Sequence, residues 1–167
     1  MNEAADGPFE DFCRRHYEAV VRTAYAMTAD REEALDVAQE AFVRACERWR
    51  SVSRLDRPDL WTHRVAINVA LSRRRRRKTE ANARARVSQE RTGAPVWEEA
   101  DQGLAVALQK LPPAQRAAVV VRYCLDQSVE QTAALLGKRP GTVRALTSQA
   151  LARLRGLVQR EGVSNEA

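Results

Sequence analysis

Apolar residues recur at helical spacing along most of the chain, and the breaks between those runs set out its elements. Phe9, Phe12, Cys13, Tyr17, Val20, Val21, Ala24 and Tyr25 fall three and four apart and predict a first helix, which pauses at Thr28-Ala29-Asp30, where Asp30 caps the next. That second helix runs to about Trp49 and buries Leu35, Ala38, Phe42, Ala45, Cys46 and Trp49. Ser51 to Arg57 is polar and reads as a loop. Asp56 and Pro58 mark the start of a third helix, which passes through Trp61, Val65 and Val69 into the run Arg73 to Lys78. Periodicity weakens from Glu80 to Ala100, and Thr92-Gly-Ala-Pro95 breaks any helix there, so the stretch reads as a linker. Beyond it Leu104, Ala107, Leu108 and Leu111 open a helix stopped by Pro112-Pro113, and Ala114 to Leu125 opens another.

Between Ser128 and Arg155 the pattern predicts two helices around a tight turn. Ser128 is an N-cap, Glu130 and Gln131 occupy the first turn, and Ala133, Ala134 and Leu136 supply packing. Gly137 takes the left-handed conformation that stops the helix, and Pro140 sits near the start of the next, where its missing amide matters least. Val143, Leu146, Ala150, Leu151 and Leu154 form the buried stripe of that last helix. Arg144, Thr147, Ser148 and Gln149 therefore face outward, a set suited to phosphates and base edges in a major groove. The reading is a helix-turn-helix, weighed against an ordinary helical hairpin with a solvated face. With no period-two segment, the fold class is all-α: two small helical domains joined by a flexible linker, with limits at 1–79, 80–100 for the linker, 101–161, and a tail at 162–167.

Charge sharpens this picture. The 167 residues carry a formal net charge of +6, unevenly spread. Residues 1–72 hold ten Lys/Arg against thirteen Asp/Glu, whereas 101–167 hold nine basic against five acidic, and the arginine run lies between. An acidic surface shared with two basic zones fits a chain that touches both a protein and a nucleic acid. On the second helix Asp36, Gln39, Glu40, Arg44 and Glu47 make one polar strip, which taken alone is a solvated face. The third helix brings Trp61, His63, Arg64 and Asn68, able to stack on or hydrogen-bond to bases, up to Arg73, Arg74, Arg75, Arg76 and Arg77, able to meet phosphates. Trp61 serves equally well as core.

Other chemistries find little support. Cys13, Cys46 and Cys124 are widely separated within apolar patterns and are expected as reduced, buried thiols. Cys13 and His16 form a C-x-x-H pair with no second pair to complete a zinc site, and no cofactor is expected. No Ser/His/Asp set or glycine-rich phosphate loop marks an enzyme. Lacking a secretory segment or an apolar run of spanning length, the chain is expected in the cytoplasm without membrane insertion.

The order of these motifs resembles the extracytoplasmic-function sigma factors, the small two-domain class of bacterial RNA polymerase sigma subunit, actinobacterial in character, over nearly the whole chain from Phe9 to Arg160. Asp36-Val-Ala-Gln39-Glu40-Ala-Phe42 matches the family's D-x-x-Q-E-x-F. Pro58-Asp-Leu-Trp61-Thr-His63-Arg64-Val65-Ala66-Ile-Asn68 is similar to its −10 segment, and Leu111-Pro112-Pro113-Ala-Gln-Arg116 followed by the Ser128 hairpin to its −35 domain. The resemblance implies a sigma region 2 three-helix domain and a sigma region 4 helix-turn-helix domain. It implies that Asp36, Gln39, Glu40 and Arg44 bind core RNA polymerase at the largest-subunit clamp, with the flap as a second contact. It implies that Ser53, Arg54, Trp61, His63, Arg64, Asn68 and Arg73 to Arg77 meet the −10 element as single strand. Lys138, Arg139, Thr142, Arg144, Thr147, Ser148, Gln149 and Arg153 would meet the −35 duplex. Promoter DNA and a possible anti-sigma protein complete the implied partners, and linker residues Glu90, Glu98 and Glu99 are placed to mimic nucleic acid or to keep the linker soluble. Where relatives carry S-R-L-x-R this chain has Leu146 and Gln149 at two expected basic positions, and Thr62 and Ser72 depart from the usual third helix, so promoter sequence does not carry over. The alternative is a stand-alone helix-turn-helix regulator that reads a palindrome as a dimer. It leaves the polar strip and the arginine run without a role.

Overall fold

Asp30 leaves the helical region of backbone space, with φ −129° and ψ 122°, and its carboxylate accepts the Glu33 amide at 2.9 Å. That cap separates two helices where the apolar pattern runs almost unbroken. The computed structural model describes residues 3–80 and 99–164, with side chains at 7–80 and 100–160. Within it α1 covers Glu3–Thr28 and α2 Arg31–Glu47, joined through Ala29 at a φ of 51°. A short α3, Trp49–Val52, precedes α4, Pro58–Glu80. Every regular element among the described residues is helical, as expected. The chain divides into two units, one ending at Trp97 and the other beginning at Glu98. Linker residues Glu90 and Glu98 and the side chain of Glu99 lie outside the described residues.

In the first unit α1, α2 and α4 close around Val20, Val21, Ala34, Val37, Ala41 and Ile67, all fully buried. Alanines at the contacts let the helices approach closely. One end is filled by aromatic rings, with Phe12 4.9 Å and Phe9 5.1 Å from Trp49 between centroids. Two element limits differ from expectation. Arg48, at φ −114° and ψ 15°, ends α2 before Trp49, and α3 takes Ser51 and Val52 out of the expected loop because Val52 has apolar surface to bury. The expectation of buried thiols is also corrected: Cys13 is half-buried, but Cys46 and Cys124 are exposed. Cys46 falls one position past the Ala38, Ala41, Phe42, Ala45 stripe.

Thr62 and His63 are both buried on α4, and His63 ties that helix to α1. Thr23 Oγ1 of α1 and His63 Nδ1 lie 2.9 Å apart. Burial pushes the His63 imidazole down to about 4; Asp59 opposes the shift, and the charges of His16 and Arg57 add to it. An unfolded imidazole titrates near 6.5, so between that pH and about 4 the unfolded chain binds more protons, and stability falls as the pH drops. Unfolding in urea should lose about 2 kcal/mol of stability between pH 7 and pH 5, where ordinary carboxylates remain ionised. His63→Gln should flatten that slope. An equally steep slope in the variant would assign it to another group.

The second unit comprises α5 (Glu99–Leu108), α6 (Pro113–Val119), α7 (Val129–Leu136) and α8 (Pro140–Ser164), the last extending beyond the expected end. After α6 the chain widens into a π turn at Val120–Cys124, where the Leu125 amide reaches Val120 O at 3.0 Å. Leu108, Leu111, Ala118, Val120, Val143 and Ala150 form the core. Arg116 lies among them with none of its surface exposed. Its Nε donates to Leu108 O at 2.8 Å, a carbonyl that also accepts the Leu111 amide at 3.1 Å, and its Nη2 donates to Leu111 O at 3.0 Å, so a cation from α6 ties together the turn that follows α5.

The hairpin folds as its residues dictate. Ser128 Oγ accepts the Gln131 amide at 3.0 Å while Gln131 Oε1 accepts the Ser128 amide at 2.8 Å, a complete capping box. Gly137, at φ 62° and ψ 39°, closes α7, and the Lys138 amide returns to Ala133 O at 2.9 Å.

Candidate nucleic-acid and protein-docking surfaces

On α2 the buried stripe leaves Asp36, Gln39, Val43 and Arg44 exposed and Glu40 half-buried, a continuous polar strip with one apolar member that the polar pattern did not single out. Glu40 is its hub. Its Oε2 accepts from Arg73 Nη2 at 2.9 Å and its Oε1 from Arg44 Nη2. Burial works to raise the Glu40 carboxyl, but the Arg73 hydrogen bond and the Arg44 charge outweigh it and hold the group below the ordinary carboxylate range. Arg73 also stands 4.0 Å from Asp36, and Arg77 pairs with the buried Glu33.

These pairs correct the uniform reading of the arginine run. At 100° per residue, Arg73 and Arg77 continue the stripe of Thr62, Ala66, Val69 and Ala70 that packs inward, so they turn toward the acids of α2 and are half-exposed. Arg74, Arg75 and Arg76 are exposed. Trp61, Arg64, Asn68 and Arg75 fall within an arc of about 60°. Arg64, Asn68 and Arg75 are exposed and Trp61 half-exposed, so one ring, one amide and two cations share a face of α4. His63 does not join them. It points into the core because it follows Thr62 on the inward side, and burial against Thr23 keeps it from any surface. Ser53 and Arg54 are exposed in the turn between α3 and α4, whose entry is fixed by Arg57 pairing with Asp59 at 2.7 Å.

In the second unit Lys138 and Arg139 flank the start of α8, and Thr142, Arg144, Ser148, Gln149 and Arg153 are exposed along it. Thr147 is not. It is 7% exposed, its Oγ1 donates to Val143 O at 2.6 Å, and it shares the inward stripe with Val143 and Ala150, so the outward assignment is corrected. Leu146, Leu151 and Leu154 are half-buried at the edges of that stripe. Two partners were missed by sequence reasoning. Glu130 of α7 pairs with Arg144 at 3.2 Å, and Gln115 of α6 donates from Nε2 to Gln149 Oε1 at 3.1 Å. Neither is legible in the sequence, because the partners stand 14 and 34 positions apart.

Among the described residues no cluster of His, Cys, Asp or Glu is arranged to hold a metal, and no helix is long and apolar enough to cross a membrane. These surfaces are suited to binding: an acidic and polar strip backed by arginines, a helix face carrying an aromatic ring with amide and cation, and a basic helix-turn-helix.

Comparison with known proteins agrees with both units. Residues 12–80 match the family Sigma-70 region 2, and residues 102–154 match Sigma-70, region 4. The chain is 34% identical over 148 residues to the RNA polymerase sigma-E factor of Streptomyces coelicolor, covering 88% of this chain and 84% of that protein. It is also 34% identical to the ECF RNA polymerase sigma factor SigM of Mycobacterium tuberculosis over 153 residues, 90% of this chain and 76% of that one. Among solved structures the fold is similar to the sigma factor RpoE in complex with the anti-sigma factor NepR from Bartonella quintana, with a TM-score of 0.72 at 21% identity over 91% of this chain and 97% of that one. It is likewise similar to CnrH in complex with the cytosolic domain of CnrY, with a TM-score of 0.64 at 24% identity, covering 95% and 94%.

Proposed function

Because the chain belongs to the extracytoplasmic-function RNA polymerase sigma factors, we propose that its two helical units divide the reading of a promoter between them and that the first also docks on core polymerase. Residues 1–79 act as the region 2 domain and 101–161 as the region 4 domain. On α2, Asp36, Gln39, Glu40 and Arg44 meet the clamp of the largest subunit, and the second unit meets the flap. Ser53, Arg54, Trp61, Arg64 and Asn68 hold an extruded −10 base and its neighbours, with Arg74, Arg75 and Arg76 on the backbone. In the second unit Thr142, Arg144, Ser148, Gln149 and Arg153 face the −35 major groove while Lys138 and Arg139 take phosphates. The protein works in the cytoplasm by binding, with no catalytic step of its own. The similar sigma factor RpoE is solved in complex with the anti-sigma factor NepR, which supports an anti-sigma protein as a further partner.

The observation that carries this reading is the split of α4: Trp61, Arg64, Asn68 and Arg75 share an outer face while Arg73 and Arg77 are turned onto α2. The split can be tested with holoenzyme on promoter DNA across a salt series. Arg75→Ala with Arg76→Ala should weaken binding several-fold and flatten the plot of log affinity against log salt by roughly 1.5, leaving Tm in place. Arg73→Ala with Arg77→Ala should lower Tm and leave the slope. Equal flattening by both pairs, with Tm unchanged in both, would show that the run acts as one phosphate-binding block.

A further inference from the structure

Gln149 stands exposed on α8, yet one end of its amide is already engaged. Gln115, only 6% exposed, donates from Nε2 to Gln149 Oε1 at 3.1 Å. With that orientation Gln115 Oε1 is left as a buried oxygen without a hydrogen-bond partner among the described residues. The reverse orientation would bury two unpaired N–H groups in its place, and orphaned buried donors are the rarer case, so the observed orientation is the favoured one. The amide plane then sets Gln149 Nε2 on the side away from Gln115, with both hydrogens available.

A glutamine with both ends open reads adenine, accepting from N6 and donating to N7. Gln149 is held differently. We propose that Gln115 is a specificity-determining positioning residue: by holding Gln149 Oε1 on the protein side it leaves the Gln149 amide to read the groove as a donor, which selects a −35 base presenting only acceptors to the major groove, guanine or thymine, over cytosine and over adenine, whose N6 donor beside N7 then faces no acceptor. The proposal rests on the −35 assignment of α8 above. Gln115 itself is buried and acts through Gln149, the exposed partner on α8.

The experiment is selection from a promoter library randomised across the −35 element, using holoenzyme assembled from the full chain and core polymerase, with Tm measured for every variant. Wild-type protein should prefer guanine or thymine at one position by about tenfold. Gln149→Ala should erase the preference at that position alone. Gln115→Glu places a carboxylate that accepts from Gln149 Nε2, turns Oε1 outward, and should move the preference to adenine or cytosine. Gln115→Leu, which frees the Gln149 amide, should admit adenine beside the original base. Gln115→Met reads the same release if the leucine variant lowers Tm. If Gln149→Ala erases the preference while all Gln115 variants keep it at native Tm, the positioning role is overturned. If Gln149→Ala changes no position while a −35 preference persists, Gln149 is not a reader and the proposal falls with it. A library with no −35 preference at all would instead overturn the −35 reading of α8.

Discussion

Arg116→Met should unfold the second unit at a temperature where the first remains native. The guanidinium is fully buried and donates to Leu108 O, which also accepts the Leu111 amide, and to Leu111 O, in the turn between α5 and Pro112-Pro113. Methionine fills much of the volume and donates nothing. Hydrogen bonds from a charged donor contribute roughly 1.5–3 kcal/mol each, and the abandoned Leu111 carbonyl keeps its desolvation penalty. Relief from burying a charge offsets part of this. A net loss of roughly 2–4 kcal/mol remains, enough to lower the Tm of a domain this small by roughly 15 °C. Duplex −35 binding should disappear with it, while association with core polymerase through α2 persists in weakened form. A Tm within a degree or two of the wild type would mean that the buried arginine is matched by an equal apolar alternative.

The second large effect concerns docking. Asp36→Arg combined with Gln39→Ala should reduce holoenzyme formation by more than tenfold, roughly 1.4 kcal/mol or more, with Tm nearly unchanged. Both side chains are exposed, so neither substitution disturbs the core. Asp36 lies 4.0 Å from Arg73, a distance at which an exposed pair adds little to stability. Reversing its charge alters what a partner meets on the strip, and removing the Gln39 amide deletes a donor and an acceptor beside it. Pull-down of core polymerase checks the first quantity and thermal unfolding the second. Loss of binding together with a large drop in Tm would instead make the strip part of the fold.

Much of this architecture was legible in the chain, because local signals and the apolar pattern point the same way. Asp30, Ser128, Gly137 and Pro140 mark helix ends by their own backbone chemistry, and each does so in the structure. What escaped the sequence depends on which side of a helix a polar residue takes. His63 and Thr147 are polar residues at inward positions, buried because each finds one partner, Thr23 or the Val143 carbonyl. The arginine run looked uniform, yet counting from Thr62 and Ala66 by threes and fours reaches Arg73 and Arg77, so their inward turn was available from periodicity and was hidden by the run's single charge. Gln115 was different in kind. Nothing local links it to Gln149, because their hydrogen bond depends on how α6 packs on α8.

The most direct test of the central claim is run-off transcription from a genomic promoter library with core RNA polymerase, with and without this protein, alongside the Asp36→Arg, Gln39→Ala variant. Start sites that appear only with the wild-type protein, share upstream −35 and −10 sequences and vanish with the variant are the predicted result. A protein that binds duplex DNA alone, yet never redirects core polymerase to a new start site, would contradict the account and favour a stand-alone regulator.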